Sequence, residues 1–206
     1  MTFLSKITVA LLACSALLFP APDRRGLEVY LFAAPQGYGK IKRDVGITAR
    51  GEIRSLLKEA RKRHHVLLKK MVLDMSGKTV SGKYRTETPY IDPDTCGKHK
   101  VYMKFKSTGF VFVAKPHTNK DDLVDIFIEI SKYLGNRNRS TPLEKKCSTP
   151  VVSSSDFRKT VLIRVGEAVM IGVFDLAKNP VSMEAKTYEW ASFGQFYVLI
   201  NMTCQR

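Results

Sequence analysis

Hydrophobic residues recur at helical spacing over residues 48–71, and this pattern predicts the longest helix of the chain. Spacings of three, four and seven residues place one apolar stripe along a single helical face. The stripe consists of Ile53, Leu56, Leu57, Ala60, His64, Leu67, Leu68 and Met71. Basic residues cover much of the remaining surface. We interpret the segment as a core-packing helix with a solvated basic face, with a membrane surface or nucleic acid phosphates as the alternative partners of that face.

A second helix is predicted over residues 120–134. Asp121 and Asp122 would lie in its first turn, and Gly135 follows its last residue, as helix start and stop signals require. Its buried stripe would consist of Leu123, Ile126, Phe127, Ile130 and Leu134.

The remaining apolar segments read as strands. Residues 27–32 have strand composition, and turn signals within residues 72–85 indicate a hairpin or two short strands. Residues 100–115 read as a hairpin turning at Ser107, Thr108 and Gly109, and residues 157–175 as a hairpin turning at Gly166 and Glu167. Residues 187–204 supply one or two more strands. About seven strands, adjacent as hairpins, and two helices predict an α+β fold, in which an antiparallel sheet packs against a long helix.

The N-terminal residues have the pattern of a secretory signal peptide. Lys6 provides a positive charge, and residues 7–18 form an uncharged apolar run that is too short to span a bilayer. We predict a signal peptide over residues 1–21, followed by a single secreted domain over 22–206. No later run has the length of a transmembrane helix.

Removal of the signal peptide would leave Cys96, Cys147 and Cys204. In an oxidising compartment we expect two of the three to form a disulfide, and any pairing is open at this point. Their wide spacings do not resemble those of a zinc site, whose ligands come in close pairs.

The chain is strongly basic, with 34 Lys and Arg residues against 19 Asp and Glu residues, a formal net charge of +15. Such an excess attracts polyanions, so RNA, DNA, anionic lipid or an acidic protein are candidate partners. General solubility of a secreted basic protein explains the same excess equally well.

The sequence contains no recognisable catalytic motif. No H-x-x-x-H, H-E-x-x-H or G-x-S-x-G pattern occurs, so we predict no metal and no cofactor. His64 falls on the apolar helix face and reads as a core residue, His65 reads as a surface residue, and His117 is the histidine best placed for a loop site. Cleavage of RNA would need an acid/base pair beside phosphate-binding cations. Candidate cations are Arg158, Lys159, Arg164, Lys104 and Lys106, but no acid/base pair accompanies them.

The order of these features resembles the ribonuclease-like secreted effectors of powdery mildew fungi. The resemblance rests on a signal peptide, an early strand with Tyr30-Leu31-Phe32, a helix, an antiparallel sheet, the strand-turn-strand RKTVLIRVGEAVMIGV and a cysteine near the C-terminus. It implies a ribonuclease-like fold with an inserted helix and loop over about residues 119–155. The family has a cysteine where this chain has Phe32, which implies that Cys204 pairs with Cys96 or Cys147 or stays free.

The resemblance also implies a function. Arg158 matches the arginine of the active ribonucleases, but no histidine follows His117, so the general acid has no counterpart. We therefore predict a non-enzymatic secreted virulence effector that binds host RNA or a host protein after delivery into host cells. The alternatives are an active secreted ribonuclease or other hydrolase, and a basic structural or membrane-surface protein acting through the helix at 48–71.

Overall fold

The computed structural model describes residues 24–34, 44–75, 78–95, 98, 100–117, 120–137, 149–176 and 193–205. Within these ranges the chain forms nine strands, one α-helix and one short 3-10 helix at Pro93–Thr95. The strands are β1 (Arg24–Ala34), β2 (Gly46–Gly51), β3 (Val66–Asp74), β4 (Val80–Ile91), β5 (Met103–His117), β6 (Lys120–Arg137), β7 (Thr149–Leu162), β8 (Ala168–Asp175) and β9 (Gln195–Gln205). The helix, α1, spans Ile53–Lys62.

The strands form two antiparallel sheets that pack as a sandwich. Sheet A has the order β2-β8-β9-β1-β3, and sheet B has the order β4-β5-β6-β7. Apolar side chains from both sheets form one buried cluster, which is the core of the molecule. In β6, for example, Val124, Ile126, Ile128 and Ile130 are buried, and the residues between them face the other way.

Helix α1 covers part of the outer face of sheet A. Its buried residues, Leu56 and Ala60, pack against Tyr30, Phe32 and Leu199. The described chain therefore has three layers, in the order helix, sheet A and sheet B, and only sheet B lacks a covering layer on its outer face.

The predicted α+β fold with a long helix is wrong, because the described chain is almost entirely antiparallel sheet. The helical pattern over residues 48–71 holds only for α1. The helix ends where His64 adopts a left-handed backbone conformation, with φ of 56°. Leu67, Leu68 and Met71 then belong to β3, which pairs with β1. The apolar stripe that predicted one long helix therefore runs across two separate elements, α1 and β3, which are consecutive in the chain.

The second predicted helix is strand β6, so the helix of the predicted insertion at 119–155 does not exist. Every second residue from Val124 to Ile130 is buried, which is the period of a strand. The intervening positions hold Asp125, Phe127 and Glu129. Because Phe127 is also apolar, the same segment satisfies a helical spacing, and its pairing with β5 and β7 decides between the two.

Both predicted hairpins are also wrong. Residues 103–117 form one continuous strand, and Gly109 lies within it instead of in a turn. The turn at Gly166 and Glu167 exists, closed by a hydrogen bond from the Glu167 N–H to the Arg164 carbonyl oxygen of 2.9 Å. It connects β7 of sheet B to β8 of sheet A, however, so the two strands do not pair.

The two helix-end histidines exchange the roles predicted for them. His64 is exposed, whereas His65 is half-buried and stacks on Tyr197 with ring centroids 4.7 Å apart. Burial, with a contribution from the nearby Arg63 charge, lowers the pKa of His65. The predicted signal peptide lies outside the described residues, as does the loop over residues 138–148 of the predicted insertion.

Candidate interaction surface

Sheet B divides into two arms at Gly109 and Ser131. This is the last residue pair between β5 and β6, because the part of β5 before Gly109 pairs with β4 alone. The Ser131 hydroxyl joins the strands there, accepting a hydrogen bond from the Gly109 N–H (3.0 Å) and donating one to the Gly109 carbonyl oxygen (3.4 Å). Beyond this point β6 continues beside β7 only. We call the β4–β5 part, residues 86–108, the hairpin arm.

The backbone directions in the hairpin arm follow from two hydrogen bonds. In an antiparallel strand, the N–H and C=O groups of successive residues point alternately to the two sides. The Asp92 N–H donates to the Tyr102 carbonyl oxygen (2.8 Å), so Tyr102 faces β4. The Gly109 N–H donates to Ser131, so Gly109 faces β6. Even-numbered residues between them therefore face β4, and odd-numbered residues face the gap between the arms.

One edge of the hairpin arm is consequently open. The backbone N–H and C=O groups of Met103, Phe105 and Ser107 point into the gap, where no described strand pairs with them. We call these three residues the open edge. An unpaired strand edge can accept a further strand from another chain.

The opposite edge of the same arm carries a proline. Pro89 of β4 lies directly opposite Phe105. By the alternation above, residue 89 directs its backbone away from β5, where a proline offers no N–H donor. Proline on an edge strand hinders further strand pairing. The hairpin arm is thus protected on its β4 side, whereas no described residue of β5 offers a comparable protection on the other side.

Large apolar side chains accompany the open edge. Val101, Tyr102, Met103 and Phe105 are between 51% and 62% exposed. Contiguous exposed apolar groups of this kind mark interaction sites more often than isolated ones do. Met103 and Phe105 share the outer face of sheet B with Val111, because alternate residues of a strand point to the same side.

An ion pair braces the end of the hairpin arm. The Lys104 Nζ lies 2.8 Å from a carboxylate oxygen of the buried Asp92. The hydrogen bond from Lys104 lowers the pKa of Asp92, and the same contact raises the pKa of Lys104. Thr95 closes the turn, since its hydroxyl donates to the Asp92 carbonyl oxygen and accepts from the Tyr102 N–H. These contacts therefore join the residues that end β4 to Thr95, Tyr102 and Lys104.

A shallow, open depression of about 590 Å³ lies elsewhere on sheet B. Most of its lining comes from the outer face, including Val113, Asp125 and Phe127. The Arg158 guanidinium lies over the Phe127 ring, 4.9 Å from its centroid. The Thr160 hydroxyl donates to the Asp125 carboxylate at 2.6 Å.

The five predicted cationic residues do not come together at one site. Arg158 and Lys159 line the depression. Lys104 and Lys106 lie on the hairpin arm, and Lys104 is paired with Asp92. Arg164 lies in the turn after β7, where its backbone N–H donates to the Glu167 carboxylate. The open edge was not predicted because residues 107–109 were interpreted as a turn. Apolar and basic residues alternate from Met103 to Lys106, but Ser107, Thr108 and Gly109 interrupt this alternation, so the local pattern does not indicate the continuous strand that forms.

The remaining candidate residues are placed only in part. Cys204 is exposed with a free thiol, and Cys96 and Cys147 lie outside the described residues, so the disulfide stays a prediction. Asn201, which begins the glycosylation sequon Asn201-Met202-Thr203, is only 4% exposed. In the described part of the chain, no three His, Cys, Asp or Glu side chains are grouped to hold a metal. The described helices also include none with the length and apolar character needed to cross a membrane.

No protein-family model matches the chain, and no curated protein matches it. Solved structures do match, and they include bacterial secretins. The secretin domain of InvG from the Salmonella SPI-1 injectisome is 10% identical, with a TM-score of 0.44; the match covers 98% of this chain and 68% of that one. GspD of the Escherichia coli K12 type II secretion system is 13% identical, with a TM-score of 0.44; the match covers 98% of this chain and 54% of GspD.

PilQ, the type IV competence pilus secretin of Vibrio cholerae, is 9% identical with a TM-score of 0.40; the match covers 98% of this chain and 66% of PilQ. Identities and TM-scores this low do not establish a shared function.

These findings correct the resemblance to powdery mildew effectors. The matching structures named above are bacterial secretins, and the long helix that a ribonuclease-like fold requires is absent from the described residues. The predicted virulence effector, the active ribonuclease and the binding of host RNA or a host protein are therefore wrong. The membrane-surface alternative depended on a helix over residues 48–71, of which ten residues, Ile53–Lys62, are helical.

Proposed function

We propose that the chain is a non-catalytic assembly module that binds an extended segment of another protein as an added strand on the open edge of β5. The observation that carries this proposal is that no described strand pairs with the gap-facing backbone of Met103, Phe105 and Ser107, which lies beside exposed apolar side chains. Strand addition combines main-chain hydrogen bonds, which supply affinity, with side-chain contacts on alternate residues, which supply specificity.

The surroundings of the open edge support this function. The gap between the arms begins at Gly109, whose φ of 138° suits glycine. A side chain at this position would overlap the backbone oxygen of Tyr84. Because the Asp92–Lys104 pair and the β4–β5 ladder also fix Met103 and Phe105 in an extended conformation, a partner strand does not have to order this edge.

The non-catalytic part of the proposal comes from the sequence, in which the cations have no recognisable acid/base partner. The predicted signal peptide adds secretion to the proposal, so that the module would meet its partner outside the cytoplasm.

The experiment uses two matched proline variants. Ser107 and Glu87 lie directly opposite each other, and each directs its backbone away from the β4–β5 ladder. Ser107→Pro removes a donor from the open edge, whereas Glu87→Pro removes one from the opposite edge. Binding is measured by fluorescence anisotropy with labelled peptides in which valine alternates with threonine, glutamate or lysine.

We expect at least one of these peptides to bind the unmodified chain and the Glu87→Pro variant. The same peptide should bind Ser107→Pro at least about tenfold more weakly, because a lost main-chain hydrogen bond and a disturbed strand edge each weaken the complex. Circular dichroism and thermal unfolding check that both variants fold. If Ser107→Pro does not fold, Phe105→Ser tests the side-chain contribution instead. Failure of every peptide to bind, or equal loss in both proline variants, would contradict strand addition.

A further inference from the structure

Lysine is concentrated beside the open edge. Residues 98–106 contain four lysines and no acidic residue. Lys98, Lys100, Lys104 and Lys106 are all exposed. Lys104 is neutralised in part by Asp92, but Lys106 has no ion-pair partner among the residues that the structure describes.

The lysines and the apolar side chains occupy opposite faces of the strand. Met103 and Phe105 point to the outer face of sheet B, and Lys104 and Lys106 point to the other face, as the period of two requires. A strand added to the open edge would therefore meet apolar side chains on one face and ammonium groups on the other.

We propose that the segment bound by the open edge is one in which apolar and acidic residues alternate. This inference rests on the proposed function and names its partner. Apolar residues of the segment would lie opposite Met103 and Phe105, and carboxylates would lie opposite Lys104 and Lys106. Cross-strand pairs of opposite charge stabilise a sheet by a small amount each, and like charges destabilise it. Charge therefore contributes selectivity more than affinity.

A second copy of this chain fits the open edge less well than an acidic segment of another protein does. The formal net charge of +15 opposes association of two copies. Two of the edge strands that a copy would offer are also not acidic. β3 contains Lys69 and Lys70 against Asp74, and β2 contains Arg50 and no carboxylate.

The test compares three peptides on the intact chain. The first alternates valine with glutamate, the second alternates valine with lysine, and the third has the glutamate content of the first with glycine and proline placed to prevent strand formation. We expect the first peptide to bind about tenfold more tightly than the second, because the second replaces two attractive charge pairs with Lys104 and Lys106 by two repulsive ones. The third should bind far more weakly than the first.

Charge reversal provides the matched variant. Lys106→Glu should reduce or reverse the preference for the glutamate peptide, whereas Lys83→Glu, an exposed charge change on β4 away from the gap, should leave it unchanged. The inference would be overturned if the strand-forming and strand-breaking acidic peptides bound equally well. It would also be overturned if the chain bound anionic lipid vesicles as tightly as it binds the first peptide, and if that peptide blocked the vesicle binding.

The two proposals fail in different ways. If the valine–threonine peptide binds in a manner sensitive to Ser107→Pro but the glutamate peptide has no advantage, strand addition stands and the acidic partner is wrong. If no strand-forming peptide binds, both are wrong. A concentration-dependent dimer that Ser107→Pro abolishes would identify a second copy as the occupant and contradict the acidic partner.

Discussion

At the scale of single residues, Lys132 is the most unusual group in the core. It is 4% exposed, and its Nζ donates to the Phe193 carbonyl oxygen at 2.9 Å. No carboxylate among the described residues pairs with it. Burial lowers the pKa of Lys132, because a charged amine is poorly solvated between two sheets.

Replacing Lys132 by methionine should therefore stabilise the protein at neutral pH. A lysine whose pKa is lowered by folding destabilises the folded state at every pH where its amine is protonated. This cost in folding free energy declines as the pH rises toward 10.5, the ordinary pKa of lysine. We expect Lys132→Met to raise the free energy of unfolding at pH 7 by about 1 kcal/mol, with less gain at pH 10. Urea denaturation at both pH values measures this.

The exposed Lys83 offers a control, since Lys83→Met should change stability little. A large loss of stability in Lys132→Met would mean that the bond to the Phe193 carbonyl outweighs the burial of the charge.

At the scale of elements, the hairpin arm should show alternating amide exchange. Lys104, Lys106 and Thr108 direct their N–H groups into the β4–β5 ladder, whereas Met103, Phe105 and Ser107 direct theirs into the gap. Hydrogen exchange followed by NMR should therefore give fast exchange at the three open-edge amides and slower exchange at the other three. Uniformly slow exchange would show that another segment covers the open edge.

At the scale of the whole molecule, carboxylates that connect strands should make the fold sensitive to acid. Glu28 of β1 accepts hydrogen bonds from Lys70 of β3 (2.8 Å), from Asn201 of β9 (2.9 Å) and from the Tyr30 hydroxyl (3.2 Å). The hydrogen bond from Lys70 is the largest cause that lowers the pKa of Glu28. The pKa of Asp92 and that of Glu167 are also lowered.

A carboxylate whose pKa is lowered by folding stabilises the protein above its ordinary pKa, and this stabilisation is lost as the pH falls through the lowered value. We therefore expect stability to decline below about pH 4.5, the ordinary value for glutamate. Glu28→Gln should cost roughly 1–2 kcal/mol at pH 7 and much less at pH 3. Thermal unfolding of both proteins at the two pH values measures the difference. An equal cost at both would show that packing of the side chain, and not its charge, is responsible.

Local patterns predicted some elements of the molecule and misassigned others. Strand β1, the middle of the long helix and the turn at Gly166 were predicted from their own residues. Residues 120–137 were misassigned because Phe127 adds an apolar side chain to the outer face, which lets a helical stripe fit a strand sequence. Gly109 was misassigned because a glycine at a branch of a sheet has the same local signal as a glycine in a turn.

The candidate surface was less predictable than the elements. Lys104 and Lys106 were recognised as cations from the sequence. Whether they can contact a bound strand depends on the gap beside them, and that gap forms because β6 stops pairing with β5 at Gly109. Arg158, Lys159 and Arg164 are near each other in the chain, but only Arg158 and Lys159 line the depression, whereas Arg164 lies in the turn after β7.

By itself, the sequence determined the basic charge, the alternating apolar faces and the residues at which the chain can turn, since each depends on side chains within a few positions. Only the tertiary structure decided that residues 120–137 are a strand, that β7 and β8 belong to different sheets, and that one edge of β5 has no partner among the described strands. The hydrogen-bond partners of a strand lie far away in the chain, so no local pattern specifies which edges are paired.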